Sequence, residues 1–261
     1  MLRPPVAVPV DAGPDAQLDL VARIRATPLQ TAPFDHIYME QVFPPAYYDR
    51  LLDLLPEARE YREFRHRDAM QADGHSTRRK LTLFPERIMR LPSTQRAVWR
   101  DLSRVLRSPE LQEAFKTKFR VALERRFQRP IGELSFYPVP MLLRDLPGYR
   151  ISIHGDSLSK AITVQFYLPR DESQSALGTI FHEGRSGEAA LRTRRLAFRP
   201  ASGYAFPVVY HESWHSVDRT SDVGGQRDSL MLTYYVQDGA WRWLFLRLKR
   251  LWLFLVFDLH S

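Results

Sequence analysis

The spacing of apolar positions changes near the middle of the chain. In the first half they recur every three or four residues, as on one face of a helix. In the second half they alternate or gather in short runs, as on strands. Leu18, Leu20, Val21 and Ile24 predict a helix over 15–24, and 44–55 reads as a helix after a turn. Ser93 stands as an N-cap before a helix with Val98, Trp99, Leu102 and Leu106 on one side. Ser108-Pro109-Glu110 places a cap before a proline at the first helical position. It opens a helix running to about Gln128, with Leu111, Phe115, Phe119 and Leu123 in register. Among these, 33–42 alternates like a strand, while 62–80 is polar, contains Gly74 and reads as a long loop.

From about Leu134 short β-type runs recur at 141–143, 149–154, 161–168, 179–182, 194–198, 204–206, 208–210 and 230–236, with turn signals between them. Many short strands so spaced predict a sandwich or jelly roll. The final segment, 241–257, is a separate apolar and basic helix. Trp241, Leu244, Leu248, Leu251, Trp252 and Leu255 form one stripe, with Arg242, Arg247, Lys249 and Arg250 on the other side. The predicted organisation is an N-terminal arm and helix (1–30), one domain (31–238) and a C-terminal hydrophobic and basic helix (239–261). Within the domain, helical support spans 45–130 and a jelly-roll core spans 131–238.

The 261 residues suit one large domain. There is no cysteine, which excludes disulfide scaffolds, Cys-ligated zinc, iron–sulfur clusters and thiol nucleophiles. Any metal site must use His, Asp and Glu. The net charge of +8 is scattered. Its one dense central cluster, Arg192, Arg194, Arg195 and Arg199, alternates with Leu191, Leu196 and Phe198 like a strand with a solvated face. No secretory leader is read in the opening residues, and no stretch reaches the roughly 18 uncharged apolar residues of a spanning helix. The expectation is a cytoplasmic protein, soluble or peripheral at the inner membrane surface.

The strongest chemical signal is His154-Gly155-Asp156. On an extended segment, residues two apart point to the same side, so this pair can grip one metal ion. With His215, a later histidine, it makes two imidazoles and a carboxylate. That is the ligand set of a non-haem Fe(II) site with open positions. Arg227 lies further on, and its planar fork matches a carboxylate bidentately. Ser229 points to the same side and could add one hydrogen bond.

Together these residues resemble the catalytic domain of 2-oxoglutarate- and Fe(II)-dependent oxygenases of the prolyl-4-hydroxylase-like branch. Leu146-Pro147-Gly148-Tyr149 resembles the approach to the HxD motif. Thr163 with Tyr167-Leu168-Pro169 resembles the following strand, and Leu177-Gly178-Thr179 the turn after it. Ser213-Trp214-His215-Ser216-Val217 resembles the segment carrying the distal histidine. Pro33-Phe34-Asp35-His36 with Phe43-Pro44-Pro45 resembles the opening strand and helix. The likeness spans roughly 33–236 and is poor over the middle helices.

The resemblance implies a double-stranded β-helix (cupin-like) core, mainly β, with a helical N-terminal half. His154, Asp156 and His215 would bind Fe(II), Arg227 with Ser229 would hold the distal carboxylate of 2-oxoglutarate, and O2 would complete the site. Tyr167 and Thr163 would line the co-substrate pocket, and Arg144, on the preceding strand, would touch co-substrate or substrate. The products would be succinate, CO2 and a compound hydroxylated at an unactivated C–H bond, with ascorbate as reductant in vitro. Asp156 is the carboxylate that related halogenases lack, so hydroxylation, desaturation or ring chemistry is favoured. The nucleic-acid repair branch carries a second arginine shortly after the first. Here Leu230-Met231-Leu232-Thr233 follows instead, which argues against nucleic acid. The substrate would be a small, lipid-linked or membrane-presented molecule, with a protein also in view. Arg78 and Arg79 of the polar loop, Lys160 and His182 are candidate substrate contacts.

Two other readings stand beside this one. A jelly roll of this kind could sense 2-oxoglutarate or iron without turnover. Alternatively, His211-Glu212-Ser213-Trp214-His215 is a literal HExxH, which on a helix would bind zinc for hydrolysis. Its flanks are β-formers, no glutamate follows Glu212, and 218–225 holds no third histidine. The last helix would pack on its own domain, pair two copies, or lie in a membrane interface over 239–258.

Overall fold

The computed structural model describes residues 14–184, 193–220, 225–237 and, of the last segment, 244, 245, 247, 248 and 250–252. The predicted loose arm lies almost wholly outside these residues. So do Arg192, the first member of the arginine cluster, and most of 239–261.

Among the described residues, the strands form two antiparallel sheets. The larger has seven strands in the order β1-β9-β6-β11-β4-β3-β2, and the smaller has four in the order β5-β10-β7-β8. Their ranges are β1 Ile37–Met39, β2 Arg62–Glu63, β3 Arg78–Thr82, β4 Phe136–Asp145, β5 Ile151–His154, β6 Lys160–Tyr167, β7 Ile180–His182, β8 Thr193–Arg195, β9 Gly203–Pro207, β10 Trp214–Val217 and β11 Arg227–Val236.

Alternation along the long central strands divides their side chains between two compartments. Leu142, Ile162, Val164, Phe166, Leu230, Leu232 and Tyr234 face outward into the main apolar core. There they meet α1 (Pro14–Ala26), α2 (Pro45–Asp53), α3 (Pro85–Ile88), α4 (Ser93–Leu106) and α5 (Pro109–Lys118). The opposite face carries Tyr167, Tyr204 and Phe206, which pack on Phe181 of the smaller sheet. That second compartment, between the sheets, holds the polar residues.

The helices form for local reasons. Ser108 accepts a hydrogen bond from the Leu111 amide at 3.2 Å, the N-cap its sequence predicts. Trp99, fully buried on α4, donates its indole N–H to the Leu54 carbonyl at 2.8 Å and so ties α4 to the end of α2.

Several boundaries differ from the sequence pattern. Ser93 is the first helical residue, and the cap position is Pro92, with no side-chain cap bond. The helix predicted to Gln128 breaks at Phe119 (φ −107°, ψ 22°) into α5 and α6 (Arg120–Phe127), because two core-facing runs need different directions. Gln128 ends α6 in the left-handed region. Within 62–80 lie β2 and β3, so this polar segment is only partly a loop. Arg78, Arg79 and Lys80 sit on a strand because β4 offers an open edge to pair with, and Arg62 and Glu63 of β2 then pair with β3. The N-terminal half is therefore not purely helical support: it adds β1 to one side of the larger sheet and β2–β3 to the other. Segment 208–210 leaves the sheet as a turn, while β4 and β11 are longer than predicted, pairing residue by residue from Arg227↔Asp145 to Val236↔Phe136. All three residues of β8 are exposed, rather than alternate ones.

Candidate metal centre and carboxylate site

The smaller sheet assembles the first site by register. β10 pairs with β5 so that His215 lies directly opposite His154, and their ring centroids are 4.2 Å apart. Asp156 follows in the turn after β5. One ligand atom from each of the three residues lies within 4.8 Å of the others.

Each ring is oriented by its other nitrogen. His154 Nδ1 lies 3.0 Å from the Ser152 carbonyl and His215 Nδ1 lies 3.1 Å from the Ser213 carbonyl. A carbonyl only accepts, so both Nδ1 atoms carry the proton and both Nε2 lone pairs are free for a metal. Burial, and for His215 also the neighbouring His154, push both pKa values below the ordinary range, His215 to about 4. Both imidazoles are therefore neutral at physiological pH, the form that ligates.

Asp156 is held from β6. Its Oδ1 accepts from Lys160 Nζ at 2.5 Å and its Oδ2 from the Thr163 hydroxyl at 2.6 Å. Burial opposes ionisation here, but the Lys160 ammonium and the Thr163 hydroxyl outweigh it and keep the carboxyl ionised. These contacts correct two expectations. Lys160, expected to contact substrate, is bonded to the carboxylate of the candidate metal ligand Asp156. Thr163, expected in the co-substrate pocket, anchors Asp156, because the turn after the HxD brings that carboxylate over the start of β6.

The second site lies on the inner face of the larger sheet. Arg227 is fully buried. Its Nε donates to the Leu177 carbonyl at 3.0 Å and its Nη1 to Asp145 Oδ2 at 2.6 Å, while the buried Nη2 has no partner among the described residues. Leaving a charged donor so costs about 3 kcal/mol, and native interiors rarely tolerate it without a reason. Phe198 and Tyr167 flank the guanidinium at 4.6 and 5.4 Å. The close approach at Gly178 fixes this geometry: a Cβ there would fall 1.5 Å from the Leu196 carbonyl oxygen. On either side of Gly178, the Leu177 carbonyl reaches Arg227 and the Thr179 amide donates to the Tyr167 hydroxyl at 3.0 Å.

Ser229, two residues on, accepts from Gln165 Nε2 at 2.7 Å, and Gln165 in turn accepts from the Tyr204 hydroxyl at 2.6 Å. Neighbouring rings link the two sites: His215 with Phe206 (5.0 Å), Phe206 with Tyr204 (6.0 Å), and Tyr204 with Tyr167 (5.6 Å).

Other predicted residues lie elsewhere. Arg144 does not join the site. It is one residue out of phase with Asp145, so it faces outward, bonds Asp228 at 2.8 and 3.5 Å and stacks 4.3 Å from the Tyr61 ring. Arg79 lies opposite Arg144 in the β3–β4 register. Arg78 is not a loop residue reaching for substrate. It is buried on β3, bonded to Asp145 at 2.6 and 3.2 Å, over the Tyr149 ring. His182 is nearly buried and pairs with the Ser216 hydroxyl at 2.8 Å. His211 has φ 59° in the turn before β10, so His211 and His215 share no helix face and the HExxH reading loses its geometry. Glu212 is engaged by Arg125.

Sequence reasoning missed Asp145, whose cross-strand partners are far apart in the chain. It also passed over Gln165 and Tyr204. Strand alternation with Tyr167 could have flagged Gln165, a polar residue in an apolar run.

No protein-family model matches this sequence, and no curated protein does. Among solved structures, the fold is similar to a 2OG-Fe(II) oxygenase family oxidoreductase from Burkholderia pseudomallei. The TM-score is 0.52 at 14% identity, covering 87% of this chain and 93% of that one. It is also similar to a prolyl-4-hydroxylase from Pseudomonas putida, with TM-score 0.52 at 12% identity, covering 85% and 100%. At such identities the likeness establishes the shared fold, a double-stranded β-helix with supporting helices.

Proposed function

We propose that the protein is an Fe(II)- and 2-oxoglutarate-dependent oxygenase that hydroxylates a C–H bond, releasing succinate and CO2. The observation that carries this reading is the His154–Asp156–His215 cluster. Its two neutral, Nδ1-anchored imidazoles and an ionised carboxylate match the donor set and open coordination of a non-haem iron site. When bound, Fe(II) would supply activation of O2 at the expense of 2-oxoglutarate. Within the chain, Ser152 and Ser213 hold the imidazoles and Thr163 and Lys160 orient the carboxylate. Arg227 Nη2 offers a dry, charged donor to the distal carboxylate of 2-oxoglutarate, with the Ser229 hydroxyl beside it on the same face. The aromatic walls keep water from this end, which strengthens the ion pair.

The test is 2-oxoglutarate turnover with Fe(II) and ascorbate, comparing wild type with Asp156→Ala. Succinate from the wild type alone is expected. Binding of 2-oxoglutarate without turnover under any substrate would favour the sensor reading. Absence of binding, with zinc retained, would overturn the assignment.

We further propose that the substrate is membrane-presented. The described part of the last segment is helical and leaves Leu244, Phe245, Leu248, Leu251 and Trp252 exposed, between 40% and 61%. Arg250, on the opposite side, pairs with Glu86 at 2.8 Å and with the Tyr137 hydroxyl at 3.1 Å, so the apolar stripe is turned away from the domain. Contiguous exposed apolar surface on a basic protein is what an anionic bilayer would cover. Leu248→Glu should abolish co-sedimentation with vesicles containing phosphatidylglycerol. Retained binding would refute this part. No described helix is long and apolar enough to cross a membrane.

A further inference from the structure

Arg78, Asp145 and Arg227 form one row across three adjacent strands. β3 pairs with β4 at Arg78↔Asp145, and β4 with β11 at Arg227↔Asp145. Side chains in register on one face of a sheet meet, so these three are neighbours by construction. We propose that Asp145 and Arg78 are positioning residues for Arg227. Asp145 would fix the orientation of the Arg227 guanidinium, and Arg78 would keep its charge available. Together they would select a ligand that ends in a carboxylate. The inference rests on the co-substrate reading above.

The argument is one of valence and charge. Arg227 has two of its three nitrogens committed, to Leu177 and Asp145, which leaves the plane no freedom to rotate and aims Nη2. A bidentate fork held at two points is preorganised for the third contact. Asp145 alone would cancel the charge of Arg227, since both side chains are 0% exposed and unscreened by water. Arg78 prevents this. Its Nε donates to Oδ1 at 2.6 Å and its Nη2 to Oδ2 at 3.2 Å, and the Tyr149 ring supports it at 4.3 Å. Two guanidinium groups against one carboxylate leave a single positive charge in the interior. An incoming carboxylate would neutralise it and satisfy Nη2.

The test compares two ligands, 2-oxoglutarate and 2-oxovalerate, which share the chelating end and differ in the distal carboxylate. Affinities are measured anaerobically by calorimetry on Fe(II)-loaded protein. Arg78→Met should weaken 2-oxoglutarate by about tenfold or more while leaving 2-oxovalerate within about twofold. Adding Asp145→Asn to Arg78→Met removes the cancelling anion and should recover part of that loss, although each change alone deletes an ion pair. Arg78→Lys, the gentler variant if Arg78→Met does not fold, loses the two-point contact but keeps the positive charge beside Asp145, and should keep the preference within about threefold. Equal loss for both ligands, or wild-type discrimination in Arg78→Met, would overturn the proposal. So would a lost preference in Arg78→Lys, or a double variant no better than Arg78→Met. A wild type with no preference for 2-oxoglutarate would instead strike the co-substrate reading itself.

Discussion

Two arginine–aspartate pairs lie back to back in the larger sheet, one residue apart on the same two strands. Arg227 faces Asp145 on the inner side, and Arg144 faces Asp228 on the outer side. The outer pair is closed. Arg144 gives two nitrogens to Asp228 and lies over Tyr61, and Asp228 takes a further bond from Gln226 at 2.5 Å. The inner pair is open: a second arginine shares the carboxylate, and one nitrogen of Arg227 remains buried without a partner among the described residues. The chemistry is the same on both sides. Unused bonding capacity, rather than residue type, separates the proposed binding site from a structural clamp.

The largest effect that would test this contrast is loss of the inner arginine. Arg227→Met should lower 2-oxoglutarate affinity by roughly 100-fold, read by calorimetry, because charge and donor disappear together. Arg144→Met should leave that affinity within about twofold and instead cost about 3 kcal/mol in urea unfolding, since Asp228 stays buried without its clamp. An Arg144 variant of normal stability that no longer bound 2-oxoglutarate would break the comparison.

A smaller effect is expected at the close approach that orients Arg227. Gly178→Ala drives a methyl group into the Leu196 carbonyl and must move the Leu177 carbonyl. A loss of affinity of about tenfold, with a lower melting temperature, is the expected result. Tyr167→Phe removes only the hydroxyl that receives the Thr179 amide, so about fivefold weaker binding is expected, one ordinary hydrogen bond's worth.

His36 sharpens the criterion, because its Nε2 is also buried without a partner. Here the ring is neutral, its pKa lowered by burial, and it packs edge-on against Phe34 and Phe181. A depressed imidazole pKa means that the unfolded chain binds more protons as pH falls below about 6.5, so stability is lost across that fall. His36→Phe should flatten the acid-side drop in melting temperature by a few degrees and leave 2-oxoglutarate affinity unchanged. A large change in affinity would mean that a neutral unpartnered nitrogen also reports a binding site.

Much of this was legible in one dimension. Period-two spacing placed His154 and Asp156 on one side, and the β-forming flanks of His215 argued against a helix, as its place on β10 bears out. Leu177-Gly178-Thr179 resembles a turn in sequence, and in the structure it leads from the end of a 3-10 helix (Glu172–Leu177) through an extended Gly178 into β7. The misreadings share a cause. Arg78, Arg79 and Lys80 look like loop charge because three consecutive basic residues give no strand signal, and only the open edge of β4 makes them one. Lys160 and Thr163 look like pocket lining because nothing local shows the Asp156 carboxylate folding back over β6.

By itself, then, the sequence determined the change from helical to strand-like texture, the three metal-ligand candidates and the arginine proposed to bind a carboxylate. The texture and the His154–Asp156 pair are written in short-range spacing, which backbone periodicity converts directly into facing, whereas His215 and Arg227 stand far along the chain and are read from residue type and motif. Only the tertiary structure decided which charges are spent and which are free. Asp145 meets Arg78 across 67 residues and Arg227 across 82. Whether a buried guanidinium keeps an unsatisfied donor depends on every atom packed around it, a sum over neighbours that strand register supplies and linear order does not.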